Sequence, residues 1–335
     1  MDNNMDFYII GNNNDYVKAM WREALSLPNV TYIDSPMLKD FVGKRIFNKI
    51  ENKLYSYRIN LRCKLPGKFI WRNKYSIEKC VFDRSKNNII IFSDIMRILS
   101  DVKYWEAKKK KENLTYCLIL LNSCCHDLNK SKLENKRILE FLPVDYIYTF
   151  DSKDAFDYQL NYFESMLSRI EFNKPLKKQY DFYFVGQKKN RLNDIYDLYK
   201  RIKNSGYTCL FRITGVTDQE KIDSSDIVYN EKISYKEVVE ELNCSKCIVD
   251  IKVPEQSGLS LRYFEAVLYN KLLLTNNISI KKTKYYNSNY MFCFNSIDQV
   301  ALTDEFVQNT PNYEYSNDYS PLKFLNELSN RIGGF

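Results

Sequence analysis

The segment 254–277 holds the chain's densest set of chemically useful groups. It reads Pro254-Glu-Gln-Ser-Gly-Leu-Ser-Leu-Arg-Tyr-Phe-Glu265, then Ala266-Val-Leu-Tyr-Asn-Lys-Leu-Leu-Leu-Thr-Asn-Asn277. An apolar run at 247–251 predicts a buried strand before it, and the pattern predicts a helix over 258–270. Ser257 has the side chain of an N-cap, which would aim the free N–H groups of the first turn into the crevice at the strand's carboxyl end. Those donors and the positive end of the helix dipole suit a diphosphate. Gly258 lets the backbone come close to it, with no Cβ in the way. Arg262 and Glu265, three residues apart, share one helix face. A guanidinium there can grip phosphate oxygens in pairs, and a carboxylate can accept from both hydroxyls of a ribose. The same spacing also describes an ordinary surface ion pair, and spacing alone does not choose between them.

Other patterns say less. Cys244-Ser-Lys-Cys247 has the spacing of a redox pair but joins a predicted helix to a buried strand. With no second pair to complete a zinc site, it reads as core. Gly186 followed by Gln187, Lys188 and Lys189 lacks the Gly-Lys-Ser/Thr ending of a phosphate-binding loop. Gly11-Asn-Asn-Asn has too few glycines for a dinucleotide fingerprint. Tyr199 and Lys203 match the Tyr-x-x-x-Lys spacing of nucleotide-sugar epimerases and oxidoreductases, yet the fingerprint such enzymes need is missing. No Asp-x-Asp is placed like a metal site, so no metal is expected.

The elements that position these groups come in two series. Short runs at 7–11, 30–33, 88–92, 115–121 and 145–150 are rich in Ile, Tyr, Leu and Val, and helical patterns at 15–27 and 133–141 lie between them. Such alternation predicts a parallel sheet of βαβ units. The pattern restarts at 181. Strands are predicted at 181–185, 208–213, 247–251 and 271–275, with a short apolar run at 227–229 and helices at 192–204, 235–242 and 258–270. The expected domains are therefore 1–175 and 176–335, with the switch near 173–180. Residues 40–85 are basic and without a clean period, so no element is assigned there.

Composition narrows the class. A chain of 335 residues can bury two cores, and 44% hydrophobic with 27% charged residues excludes a disordered or fibrous chain. No stretch approaches the ~20 apolar residues of a membrane helix. The first residues do not read as an export signal, so a cytoplasmic protein with reduced cysteines is expected. The net charge of +8 asks for an answer. The lysines at 108–111, beside Tyr104 and Trp105, are either a solvated helix end or a contact for anionic lipid or phosphate. No nucleic-acid-binding motif accompanies them, so nucleic acid is not an expected partner.

The stretch from Gln256 to Asn277 resembles the donor segment of GT-B glycosyltransferases, most closely bacterial enzymes of surface-polysaccharide (capsule, O-antigen) assembly related to the CgeB-like group. The resemblance implies an α/β fold of two Rossmann-like domains facing across a cleft, the C-terminal one holding a nucleotide sugar. It implies that Ser257, Gly258 and Leu259 contact the diphosphate, that Arg262 lies near it and that Glu265 holds the ribose. The segment Asp181-Phe-Tyr-Phe-Val-Gly-Gln-Lys-Lys-Asn-Arg191 resembles the opening of the family's second domain, where Gly186 borders the cleft and Arg191 reaches the diphosphate. Residues 230–241, with Tyr235, resemble the loop and helix that pass the nucleobase. Segments 145–155 and 120–123 also resemble family segments.

Many retaining members carry two glutamates eight residues apart. Here Ser257 stands at the first position, which favours inversion. An inverting enzyme needs a general base for the acceptor hydroxyl. Asp94, at the carboxyl end of the predicted strand 88–92, is the first candidate, His126 the second and Asp15 the third. The expected reaction moves a sugar from a nucleotide-sugar donor, a UDP-sugar first among them, to a glycan acceptor that is lipid-linked, without cofactor or metal. A peripheral position at the inner face of the membrane is expected. The alternative is a non-catalytic sugar-nucleotide-binding module or partner subunit of the same fold.

Overall fold

The computed structural model describes residues 4–334 except 12–13, 35–48, 51–52, 64, 73–75, 125–127, 129–130, 173–176 and 254–257. The chain divides into two compact units, Met1–Ser168 with Tyr319–Phe335, and Arg169–Asp318. Ser257 and His126 fall outside the described residues.

In the first unit, β1 (Met5–Gly11), β2 (Val30–Asp34), β3 (Asn87–Ser93), β4 (Leu114–Leu120), β5 (Tyr146–Thr149) and β6 (Asn161–Tyr162) form one sheet in the order β2-β1-β3-β4-β5-β6. Every pairing is parallel. The sequence cause is visible in β3, whose Ile89, Ile90, Ile91 and Phe92 are fully buried. A strand apolar on both faces must be covered on both, as βαβ crossovers do. The helices are α1 (Asp15–Met20), α2 (Tyr57–Arg62), α3 (Phe69–Arg72), α4 (Val102–Glu112), α5 (Lys132–Phe141), α6 (Ser152–Tyr158) and, from the end of the chain, α11 (Pro321–Gly333).

In the second unit, β7 (Tyr180–Gln187), β8 (Cys209–Thr214), β9 (Ile227–Tyr229), β10 (Ser245–Asp250), β11 (Leu272–Thr275) and β12 (Met291–Cys293) form a second parallel sheet, ordered β12-β11-β10-β7-β8-β9. Its helices are α7 (Leu192–Asn204), α8 (Tyr235–Asn243), α9 (Leu261–Leu268) and α10 (Asp304–Gln308). Helix α7 shows why it forms. Ile195, Leu198, Tyr199 and Ile202 recur at helical spacing and are all buried.

Three expectations need correction. The last residues, placed by sequence in the second domain of 176–335, belong to the first unit. Phe324 on α11 is fully buried and meets Trp21, Tyr148 and Phe163 edge-on at 5.9, 5.0 and 5.1 Å. Aromatic burial of that extent outweighs proximity along the chain. The helix expected over 15–27 stops at Met20 and gives way to a short 3-10 turn at Ala24–Ser26. The helix expected over 258–270 is shorter at both ends. Ser260 caps its start by accepting from the Tyr263 N–H, and Asn270 adopts the left-handed φ of 51° just beyond its end.

Candidate functional site

In an open parallel sheet, ligands gather outside the carboxyl ends of the strands where the winding direction reverses. In the second unit that point lies between β7 and β10, because β8 and β9 extend the sheet one way and β11 and β12 the other. The sequence delivers charge to it from three elements. Arg191 follows β7 and opens α7, Asp250 ends β10, and Arg262 with Glu265 lies on α9.

Arg191 is the most informative side chain. Its Nη2 donates to the Gln187 carbonyl at 3.3 Å, its guanidinium lies 5.9 Å from the Phe184 ring centre, and its Nε is buried with no hydrogen-bond partner among the described residues. Burial pulls its pKa below the ordinary arginine value; Asp250 opposes the shift and Arg262 adds to it. Gly186 makes the placement possible, since a Cβ there would stand 3.1 Å from Arg191 Nη2 and 3.3 Å from Phe184 Cζ. A buried donor without an acceptor costs about 1–3 kcal/mol, so this group has a use for an anion.

Glu265 and Arg262 form the i,i+3 pair, with the carboxylate fully buried and the arginine side chain 16% exposed. It is not a surface pair. Tyr235 donates to the other carboxylate oxygen at 3.0 Å, so both oxygens of Glu265 are engaged. Burial raises the Glu265 pKa above the usual carboxylate range despite Arg262 and Tyr235. Burial also acts to lower Arg262, but Glu265 leads a set of groups that outweighs it and holds the guanidinium above its ordinary value. Tyr235, which the resemblance put beside the nucleobase, is buried with its hydroxyl on Glu265. In this arrangement it positions the carboxylate.

The structure adds partners that the sequence reading passed over. Thr275 at the end of β11 donates to Asp250 at 2.9 Å, and Asn277 donates from Nδ2 to the Gly258 carbonyl at 3.1 Å. These contacts hold the approach to α9 against the ends of β10 and β11; Gly258 and Leu259 lie just before the helix, half-buried. A second group, unexpected from sequence, joins Tyr183, Arg212, Glu231 and Glu241. Tyr183 donates to Glu241 at 2.9 Å, while Arg212 bonds Glu241 at 2.7 and 2.5 Å and Glu231 at 2.9 Å. The only signal for it was an arginine inside an otherwise apolar strand. A cavity of about 740 Å³ also lies beside α7, lined by Asp194, Arg201, Ile251, Asn276 and Phe294, and among the described residues no expected site residue lines it. Its Arg201 is already spent on the carbonyls of Val300 and Asp298.

The first unit has its own reversal, between β1 and β3. Gly11 pairs with Ser93, which puts Asp94 beside the end of β1. Asp94 holds a left-handed φ of 56°, and its N–H donates to the Ile119 carbonyl at 3.2 Å. A non-glycine residue in that region is uncommon, and such residues concentrate at functional sites. Gly11 is required because the Tyr32 hydroxyl occupies the space of its missing Cβ, 1.9 Å away. Asp15 starts α1 and is exposed, with its carboxylate accepting from the Tyr16 N–H at 2.9 Å.

No family model matches the chain, and no curated protein matches it in sequence. Solved structures do resemble it in fold. A putative UDP-N-acetylglucosamine 2-epimerase from Listeria monocytogenes aligns over 98% of this chain and 97% of its own, with a TM-score of 0.51 at 7% identity. The fold is GT-B. Sucrose-phosphate synthase from Thermosynechococcus elongatus aligns over 98% of this chain and 100% of its own, with a TM-score of 0.49 at 10% identity. The DNA-modifying enzyme β-glucosyltransferase, solved with and without its substrate uridine diphosphoglucose, covers 97% of this chain and 91% of its own, with a TM-score of 0.44 at 15% identity. A likeness at 7% identity carries the architecture alone and leaves the chemistry to the site itself.

Proposed function

We propose that the chain is a glycosyltransferase that moves a sugar from a nucleotide-sugar donor to an acceptor hydroxyl. The observation that carries this is the unanswered Nε of Arg191 at the reversal point of the second sheet, beside Arg262, Glu265 and the start of α9. Two guanidiniums and the amides that open α9 would take the diphosphate, and would stabilise it as it leaves without a metal. Arg262 has two possible partners. When it turns to phosphate it releases one oxygen of Glu265, which then accepts from the ribose hydroxyls. Ser257, Gly258 and Leu259 would contact the diphosphate by their backbone, with Gly186 giving Arg191 its room.

The reaction is inverting in this reading. The acceptor oxygen bonds the anomeric carbon, the bond from that carbon to the diphosphate breaks, and the hydroxyl proton passes to a base. Asp94 is the first candidate for that base and His126 the second. The donor is a UDP-sugar and the acceptor a lipid-linked glycan of bacterial polysaccharide assembly, met at the inner face of the membrane. Among the described residues no helix is long and apolar enough to cross a membrane.

Incubation with UDP-, GDP-, CMP- and dTDP-sugars, with release of the nucleoside diphosphate as readout, tests the proposal. Release from one donor, lost in Arg191→Gln, supports it. Binding of a donor with no release, even with lipid-linked acceptors, would leave a non-catalytic module of the same fold. Interconversion of the sugar with the nucleotide still attached would instead mark an epimerase.

A further inference from the structure

The net charge of +8 is not spread over the molecule. The first unit holds 29 Lys and Arg against 22 Asp and Glu, and the second 21 against 20. Residues 40–85 alone hold twelve against four. The lysines at 108–111 are not the source of an open cationic surface. Lys108 pairs with Glu78 at 3.7 Å and its side chain is only 11% exposed, Lys109 pairs with Asp145, and Lys111 pairs with Glu112 at 3.6 Å. The unanswered charge lies elsewhere. Helices α2 and α5 form a groove of about 430 Å³, lined by Arg58, Leu61, Arg62, Arg137, Ile138 and Phe141. Among the described residues, none of these three arginines has an ion pair or hydrogen bond from its side chain, and all three are exposed.

Large apolar side chains are exposed in the same part of the chain. Ile50, Leu61, Phe69 and Val81 are 43%, 37%, 65% and 91% exposed, and Leu133, one turn before Arg137 on α5, is 62% exposed. Leu61 lies on the groove itself and Leu133 on the helix that carries Arg137; bare aliphatic side chains beside unpaired cations are what an anionic bilayer surface accommodates, with charge held at the head groups and the side chains in the acyl boundary. A nucleic acid would use the arginines but gains nothing from exposed Leu61 and Leu133. Glu134 on the groove also disfavours a continuous phosphate backbone, while Glu140 is answered by Lys136 at 3.9 Å.

We infer that the α2–α5 groove, with Arg58, Arg62 and Arg137, is a docking surface for an anionic membrane. This rests on the peripheral-membrane part of the proposed function and supplies its contact residues. Co-sedimentation of the whole protein with vesicles of phosphatidylcholine containing a third phosphatidylglycerol is the test, beside vesicles of phosphatidylcholine alone. The expected result is salt-sensitive binding to the first and little to the second. Arg58→Gln/Arg62→Gln/Arg137→Gln should weaken it roughly a hundredfold, at about fivefold for each charge. Substituting glutamine at Lys108, Lys109, Lys110 and Lys111 together should change it less than about threefold, since most of those charges are already paired. Leu133→Ser should weaken binding to vesicles and leave binding to duplex DNA unchanged. Circular dichroism and melting temperature check that each variant is folded. The inference is overturned if the wild type ignores anionic vesicles, if the lysine variant loses as much as the arginine variant, or if duplex DNA binds more tightly than vesicles of equal charge. Release of nucleoside diphosphate from a soluble donor, measured on the same variants, separates failure of the docking surface from failure of the glycosyltransferase reading.

Discussion

The pair Glu265 and Arg262 gives a prediction whose sign, and not only its size, discriminates. Removing the carboxylate with Glu265→Ala strands a mostly buried guanidinium and the Tyr235 hydroxyl, and breaking a buried pair costs about 3–5 kcal/mol. A loss of binding in that variant could come from the fold alone. Glu265→Gln keeps the shape and an acceptor for Tyr235 but removes the charge. If Glu265 holds the ribose, the amide loses a charge-assisted hydrogen bond worth about 1.5–3 kcal/mol, and UDP should bind roughly 10- to 100-fold more weakly. If Glu265 serves only to hold Arg262, the change frees a cation for the diphosphate, and UDP should bind equally or more tightly. Titration calorimetry with UDP and 2′-deoxy-UDP on both proteins settles it. In the wild type the deoxy ligand should be weaker, and in Glu265→Gln that difference should shrink. A variant that binds UDP as well as the wild type, together with a wild type indifferent to the 2′-hydroxyl, refutes the assignment.

Three further predictions follow from single positions. Asp94→Gly should stabilise the protein by about 1 kcal/mol in chemical denaturation by relieving the left-handed backbone, while Asp94→Asn should cut turnover by about 10²–10⁴ with donor affinity intact; full activity in the asparagine variant removes Asp94 as the base. Gly11→Ala should destabilise by about 1–3 kcal/mol, because the new methyl meets the Tyr32 hydroxyl at 1.9 Å, and adding Tyr32→Phe should restore part of the loss; a melting-temperature cycle reads this. Lys271 is 7% exposed, gives its protons to the Asn243 and Ser245 carbonyls at 2.8 and 2.7 Å, and is pulled down to about 8 by burial, with Lys178 adding to the shift. Below pH 8 it is charged in both the folded and the unfolded chain. Between about 8 and its unfolded value near 10.4 the unfolded chain binds more protons, so its contribution to stability rises with pH. The stability difference between wild type and Lys271→Met should therefore move by about 2 kcal/mol in favour of wild type from pH 8 to 9.5, read by urea denaturation.

Much of the fold can be read without coordinates because its cause is local. The apolar run of β3 and the helical spacing of Ile195, Leu198, Tyr199 and Ile202 write each element into a few neighbouring residues. The elements of the donor segment are legible for the same reason. Its details are not. Ser257 and Ser260 are equally good caps by type, and Ser260 caps α9. Whether an arginine and a glutamate three apart face solvent or the interior depends on what packs over them, and Tyr235, thirty positions away, takes part in that choice.

What the sequence determined by itself is the two-fold series of strands and helices, the two α/β units in series that it implies, and the presence of Arg191, Arg262 and Glu265 near strand ends. Only the tertiary structure decided that Glu265 is buried with both oxygens engaged, that α11 returns to the first unit, and that, among the described residues, Arg191 keeps an unanswered N–H and the lysines at 108–111 are mostly paired while Arg58, Arg62 and Arg137 are not. The physical reason is the same in each case. Hydrophobic periodicity is a property of neighbours along the chain, whereas burial and charge pairing are settled by residues that folding brings from far away.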